Sequence, residues 1–415
     1  MRTSSKCIQT CLLGLVLTLS AFGQSTSTAP DASSAPATPA AQTTTTNPSA
    51  QQPAPAPQPA GPPTWSAGPI DFSGLVDVYY SWNANHPQNL GSCNTPATCG
   101  NQLYNFNIQP NQFSLNMLKL SASHAPDPVG FQVDFGFGRA FDIIAAGDRA
   151  PDIFRNIEQA YASFKPAKLH GFEVDFGKFV TSDGAEVIET PNNWNYSRSL
   201  LFAWAIPYYH FGLRTSFPIG KHFTGGVMLV NGWNNVEDNN TGKTVMFTGA
   251  LTFKKFTWYN NYHTGPEHAD TNKGWRSLYD TTLQLTPTSK VSAYINYDYG
   301  QDRSAFTPST LSTWTGIAGA LHFQATGKWS VTPRVEWFSD RDGFSTGTAQ
   351  HVKEVTMTGE YKMLEGLLAR LEYRYDWSDQ PFFQRGAVID EEGPLLSKHQ
   401  TTMTLGLVAY FGPKR

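Results

Sequence analysis

The chain has 415 residues, 15% of them charged and 13% aromatic, with a formal net charge of −3. Soluble globular chains carry about 25% charged residues, so this composition argues against several ordinary domains bathed in water. The charge excludes a strongly basic nucleic-acid binder, whereas few charges beside many Tyr, Phe, Trp, Gly, Asn and Thr suit a wall with lipid on one side and water on the other.

Residues 1–23 read as a secretory signal peptide. Arg2 and Lys6 give a charged start, Leu12 to Leu19 an apolar run, and Ala21-Phe22-Gly23 small residues for cleavage before Gln24. The apolar run is too short to span a bilayer comfortably as a retained anchor. Cys7 and Cys11 leave with the signal. Residues 24–64 are almost entirely Ala, Pro, Thr, Ser and Gln, without apolar side chains to bury, and predict a disordered linker on the periplasmic side. The two remaining cysteines, Cys93 and Cys99, lie in a Gly/Asn/Thr/Pro-rich stretch and predict one loop disulfide in an oxidising compartment. A zinc site is the poorer reading, since no neighbouring histidines complete a tetrahedral shell.

From Ile70 the pattern becomes strict alternation. Ile70, Phe72, Gly74, Val76, Val78, Tyr80 and Trp82 share one face; Asp71, Ser73, Asp77, Tyr79 and Ser81 share the other, with Leu75. Near the end, Leu367, Ala369, Leu371, Tyr373, Tyr375 and Trp377 alternate with Leu368, Arg370, Glu372, Arg374, Asp376 and Ser378. Such segments recur near 70–82, 111–124, 131–139, 156–165, 171–180, 207–217, 223–232, 243–254, 255–263, 276–286, 290–300, 313–325, 329–339, 351–362, 367–378 and 400–412. Between 111 and 124 the phase breaks: Phe113, Leu115 and Met117 set one face, Leu118, Leu120 and Ala122 the other, with Lys119 between. A β-bulge would reset it. No stretch after the signal is apolar enough for a transmembrane helix. Strands cross a bilayer only as a closed barrel, because every backbone polar group must be paired. The expected fold is therefore all-β over residues 65–415: a transmembrane antiparallel barrel of about sixteen strands in a bacterial outer membrane of Gram-negative type. Short turns alternate with long connections, as in such barrels. The last strand ends on Phe411, the terminal aromatic that barrel-assembly machinery reads, followed by a departure from the usual pattern at Gly412, Pro413, Lys414 and Arg415.

The stretch GAEVIETPNNWNYSRSLLFAWAIPYY (184–209), with QAYASFKP (159–166) and GFEVDFGKFVTSDGAE (171–186) before it, resembles the β-barrel porin-2 family, the OmpL-like bacterial porins. The resemblance implies an outer-membrane porin for small solutes and leaves the solute open. In sixteen-stranded porins the third external loop often folds inward. Here that loop is 181–206, and Asp183, Glu186, Glu189, Trp194, Tyr196 and Arg198 are its candidate constriction residues. Candidate wall residues are Asp175, Arg214, Asp298, Arg334, Glu336, Arg370, Glu372 and Arg374. Inward acids outnumber inward bases in this register and predict a weak cation preference, although Glu360/Lys362 and Arg370/Glu372/Arg374 lie on adjacent strands and can neutralise one another. Passive diffusion of small hydrophilic solutes is the expected function. The alternatives are a sugar-specific channel with Trp194, Tyr196 and Trp204 as stacking surface, and a non-conducting structural or adhesive barrel. No GxSxG or HExxH motif accompanies His210, His263 and His322, so no catalytic residue and no cofactor is expected. Glu237-Asp238-Asn239-Asn240 and Asp340-Arg341-Asp342 read as turn chemistry rather than metal sites. The expected surroundings are outer-membrane lipid and, by class, a homotrimer.

Cys93 and Cys99 should be oxidised in protein taken from the outer membrane. Thiol titration of unreduced, denatured protein should find no free thiol at either position, and replacing both by Ser should leave the barrel intact, because its stability lies in the strand ladder.

Overall fold

The computed structural model describes residues 65–88, 100–307, 309–386 and 395–412. The signal peptide, the linker, and Cys93 with Cys99 lie outside the described residues. Sixteen strands close into one antiparallel barrel. They are β1 (Ile70–Asn83), β2 (Phe113–His124), β3 (Val129–Phe137), β4 (Ile157–Phe164), β5 (Glu173–Val180), β6 (Tyr209–Ile219), β7 (Phe223–Val230) and β8 (Thr244–Phe253). The second half is β9 (Phe256–Pro266), β10 (Trp275–Leu285), β11 (Val291–Arg303), β12 (Leu311–Gln324), β13 (Trp329–Asp340), β14 (Gln350–Leu364), β15 (Leu367–Ser378) and β16 (His399–Phe411). Each pairs with the next, and β16 returns to β1 with Leu405 opposite Tyr80 and Thr404 opposite Ser81. Closure leaves neither an edge nor an unpaired backbone row facing lipid. A short arm, Trp65–Ala67, folds back on the start of β1. The expected spans agree with these strands to within a few residues.

Alternation sets the two faces. On β15, Arg370, Glu372, Arg374 and Asp376 are buried, while Leu371 and Tyr373 are 55% and 44% exposed. On β16, Thr402 and Thr404 are buried and Leu405 is 55% exposed. The exposed row is apolar and meets lipid; the buried row is polar and points inward. Aromatics cluster at both rims of the outer face. Trp329 stacks on Tyr361 (4.4 Å) and Phe253 on Phe256 (4.8 Å) beside short turns, and Tyr80 lies against Phe113 (5.0 Å) at the long-loop end.

The phase break in β2 is a bulge. Asp77 pairs with Met117 and Val78 with Leu115, so Asn116 is passed over. Asn116 and Met117 are both buried, and the lipid face moves from Phe113 and Leu115 to Leu120. A second bulge, with no phase conflict to announce it, skips Glu158 between the pairs Asp134–Gln159 and Phe135–Ile157. It leaves Glu158 buried.

Two connections expected as loops contain short helices. In α1 (Arg139–Ile144), Phe141 packs on Gly136 of β3, where a Cβ would lie 1.9 Å from the ring. In α2 (Leu200–Trp204), Ser199 is the N-cap and its hydroxyl accepts from the Phe202 amide at 3.0 Å. The main apolar cluster joins α2 and Ile206 to Leu103 and Phe106, and to wall residues such as Met117, Leu278, Trp314 and Phe338.

Leu405→Arg should block assembly, because arginine near the lipid midplane costs about 2–4 kcal/mol. Thr404→Ala, one residue away on the inward face, should assemble. A heat-modifiable gel shift separates the two outcomes.

Candidate functional site

The inward faces of β13, β14 and β15 carry Arg334, Glu336, Glu354, Arg370, Glu372 and Arg374, all buried. All of them except Glu354, which pairs with Arg334, hold the main chain of segment 181–206. Arg370 donates to the carbonyls of Thr190 (2.7 Å), Asn195 (3.0 Å) and Asn193. The Glu372 carboxylate accepts from the amides of Tyr196 (2.6 Å) and Ser197 (2.9 Å). Arg334 donates to the Ser197 carbonyl at 2.7 Å, and Arg374 to that of Arg198 at 2.8 Å. Glu336 accepts from the Leu200 amide at 2.8 Å, in the first turn of α2. A guanidinium offers five donors in a fixed fork, so one arginine satisfies several carbonyls of an irregular chain.

The same segment reaches other strands. Asp77 of β1 accepts from the hydroxyls of Thr190 (2.5 Å) and Tyr196 (2.7 Å). The Tyr196 ring lies over Gly406 of β16, where a Cβ would come within 2.2 Å of it. Only glycine leaves room there. Trp194 is stacked between Tyr294 (5.4 Å) and His322 (5.3 Å). The Trp204 indole donates to the Leu103 carbonyl at 3.1 Å.

Every expected constriction and wall residue is therefore found on the inward row or in segment 181–206, but the structure gives them duties that differ from lining open water. Glu186 pairs with Arg334 at 2.7 Å and accepts from the Ser199 amide. Arg198 turns back on its own segment and donates to the carbonyls of Val187, Ile188 and Tyr196. Glu189 pairs with Lys119. Asp175 pairs with Arg214 at 2.7 Å, and the guanidinium of Arg214 stacks on Phe179. Arg370 is neutralised by Glu360 at 2.8 Å and Arg374 by Asp376 at 2.7 Å. The Tyr196 ring is buried, and the half-buried Trp194 ring stacks on Tyr294 and His322. The physical reason is shared: a loop against the wall brings buried backbone groups that must be paired, and the charged side chains pair them.

Residues 100–110, within the long connection from β1 to β2, form a second segment packed against the inward row. Leu103, Tyr104, Phe106 and Ile108 are buried. Tyr104 reaches Thr402 of β16 at 2.5 Å, the Gln102 carbonyl accepts from Gln400 at 2.9 Å, and Arg374 lies 4.2 Å from the Tyr104 ring.

Another part of the inward row is acidic. Asp280 of β10 stands opposite Asp298 of β11. Asp280 accepts from the Gly184 amide (3.1 Å), Asn261 (2.9 Å) and Asn296 (2.8 Å). Asp183 meets His263 at 3.2 Å. Among the described residues no lysine or arginine pairs with these three aspartates. His210 is held by the Gly232 carbonyl at 3.0 Å and behaves as a wall residue. In the external loops the acidic clusters are turn chemistry: Asp340 accepts from the amides of Ser345 and Thr346, and Asp238 from that of Asn240. The Thr313 amide, donating at 2.8 Å, holds the Asp342 carboxyl below the usual carboxylate range.

A closed sixteen-strand barrel with an apolar outer band, aromatic rims and a polar inner row is an outer-membrane porin barrel. Its fold is that of the anion-selective porin from Comamonas acidovorans, with TM-score 0.55 and 9% identity over 82% of this chain and 99% of that one. It is also that of OmpT of Vibrio cholerae, with TM-score 0.54 and 11% identity over 84% and 100% of the two chains. OmpF of Salmonella typhi, solved with daunomycin, gives TM-score 0.53 and 13% identity over 82% and 97%. No curated protein matches the chain by sequence. The chain belongs to the family described as putative beta-barrel porin-2, OmpL-like, whose model matches residues 69–411.

Arg334→Met would strip the guanidinium from Glu186, Glu336 and Glu354, which lie 2.7, 3.0 and 3.2 Å from it. Breaking a buried ion pair in this way costs about 3–5 kcal/mol, and the variant should unfold at a clearly lower temperature in detergent. Arg341→Met, at an exposed pair, should unfold with the wild type.

Proposed function

We propose that the protein passes small hydrophilic solutes and ions across the outer membrane by diffusion, with segment 181–206 as its constriction. The observation that carries this reading is the grip of Arg370 and Glu372, inward residues of one wall strand, on the backbone of residues 190–197. A main chain held from the inner wall narrows the lumen. Asp183, Glu186, Glu189, Trp194, Tyr196 and Arg198 then belong to the narrowed zone. A weak cation preference is supported by Asp280 and Asp298, which have no lysine or arginine partner among the described residues, and by Asp183, whose basic contact is the histidine His263, whereas Arg214, Arg334, Arg370 and Arg374 are all paired. The ion preference of the Comamonas porin does not transfer at 9% identity. The transport involves no cofactor and no covalent chemistry. The barrel takes its place in lipid through the assembly machinery, with residues 24–64 in the periplasm. A homotrimer is supported by the shared fold, since OmpT of Vibrio cholerae has been solved in a trimer form.

A second reading, a barrel that does not conduct, draws support from burial. Inward residues from Asp77 and Ser81 on β1 to Thr332, Thr356, Asp376 and Thr404 on β13–β16 are covered. A sugar-specific channel has less support, because Tyr196 is buried and Trp194 already stacks on Tyr294 and His322.

Planar-bilayer recording tests the proposal. The wild type should give small ohmic steps with a cation-selective reversal potential in a KCl gradient. Deleting Glu186–Arg198 should raise the unitary conductance severalfold, and Asp183→Asn with Asp298→Asn should move the reversal potential toward anions. A correctly assembled deletion variant with wild-type conductance overturns the constriction. Silence from the wild type with steps from the deletion variant identifies a plugged barrel.

A further inference from the structure

Three carboxylates from distant parts of the chain converge on one point of the inner wall. Asp134 is on β3, Glu158 is brought inward by the β4 bulge, and Glu189 belongs to segment 181–206. One oxygen of each lies within 4.8 Å of the others, close enough to share a single cation. The Lys119 ammonium, from the stretch of β2 that follows its own bulge, stands among them. Its Nζ is 3.0 Å from Asp134 and 2.6 Å from Glu158, and it also meets Glu189. Lys119, Asp134 and Glu158 are buried. Asp134 has further donors in Gln132 and Gln159, whereas among the described residues the Glu158 carboxylate has its ion pair with Lys119 and no other donor.

We infer that Lys119 is a tethered counter-ion that latches segment 181–206 to the barrel wall. The wall supplies two carboxylates and the segment a third, and a cation between them offsets the repulsion that their ionised forms have at this distance. Covalent attachment to β2 keeps that cation permanently in place. Glu189 opens the short 3₁₀ turn Thr190–Asn192, and Asn193 donates to the Glu189 carbonyl at 2.8 Å, so holding its carboxylate fixes the point at which the segment turns toward Thr190 and Tyr196. From β15, Arg370 and Glu372 hold residues 190–197. Lys119 is a positioning residue: it fixes the segment's near end, and this bears on passage only if 181–206 narrows the lumen as proposed above.

Three oxygens gathered around a vacated ammonium position form a site for a hard divalent cation. Replacing Lys119 by Met should open that site in the otherwise unchanged protein. In EDTA the K119M barrel should show raised and noisier unitary conductance. Millimolar Ca²⁺ should restore the wild-type level, whereas KCl added to the same ionic strength should not. Lys119→Arg should conduct like the wild type, and K119M combined with E189Q should not respond to Ca²⁺. Calorimetric titration of K119M with Ca²⁺, after EDTA treatment, should reveal a site absent from the wild type, and a gel-shift assay certifies assembly of each variant. Wild-type conductance of K119M in EDTA overturns the latch, and so does raised conductance that neither Ca²⁺ nor the Arg variant corrects. If K119M fails these tests while deletion of Glu186–Arg198 still raises conductance, the latch falls and the constriction stands. If neither variant alters conductance but K119M still binds Ca²⁺, the cation geometry stands and the constriction falls.

Discussion

In hydrocarbon no water is present to pair a backbone N–H or C=O, and each unpaired group costs several kcal/mol. Closure of β16 on β1 meets that requirement. An even number of strands then returns both ends of the barrel to one side, and strict alternation divides every strand between lipid and lumen. The remaining architecture follows from what this leaves inside. An eight-stranded barrel is filled by its own wall side chains; a sixteen-stranded barrel is too wide for that and holds either water or additional chain.

Here segment 181–206 is hydrogen-bonded to the inward row, and it carries its own backbone into a largely buried setting. The helix α2 satisfies its own amides only in part, and its N-terminus is completed by Ser199 and Glu336. The irregular stretch before it has no ladder to join. Arg370, Glu372, Arg334 and Arg374 take the place of a neighbouring strand. Such contacts impose their own requirement in turn, since a buried guanidinium needs a buried carboxylate. Glu354, Glu186 and Asp376 supply them, and the half-buried Glu360 serves Arg370.

The barrel was legible because its pattern is local. A two-residue period declares a face without reference to any distant residue, and even the β2 bulge is written as a phase conflict among Phe113, Leu115, Leu118 and Leu120. The candidate residues of segment 181–206 were legible from loop length and from aromatics that must be buried somewhere. What escaped depends on contacts across long stretches of chain. Residues 100–110 look like an ordinary polar loop until Trp204 meets the Leu103 carbonyl and Tyr208 meets Asn105. Glu158 lies in a strand with no visible irregularity, and its bulge exists only relative to Asp134 on the neighbouring strand. Lys119 was visible as a misfit, but its role required knowing which three acids surround it.

Charge on an inner wall does two kinds of work that the sequence does not distinguish. A side chain in a salt-bridged grip on backbone is neutralised at short range, and its field falls off quickly for a passing ion. A carboxylate held by neutral amides keeps its field. By this criterion the arginines of β13–β15, conspicuous in the sequence, are anchors, and the quieter aspartates of β10 and β11 are the part of the inward row without a lysine or arginine partner among the described residues. Asp280 is held by Asn261, Asn296 and the Gly184 amide, all neutral donors, one of them from segment 181–206 itself. The segment is therefore bound to the wall through charge pairing on one side and through neutral donors to an uncompensated acid on the other. On the proposed function, ion preference follows from that asymmetry rather than from the total of inward acids and bases.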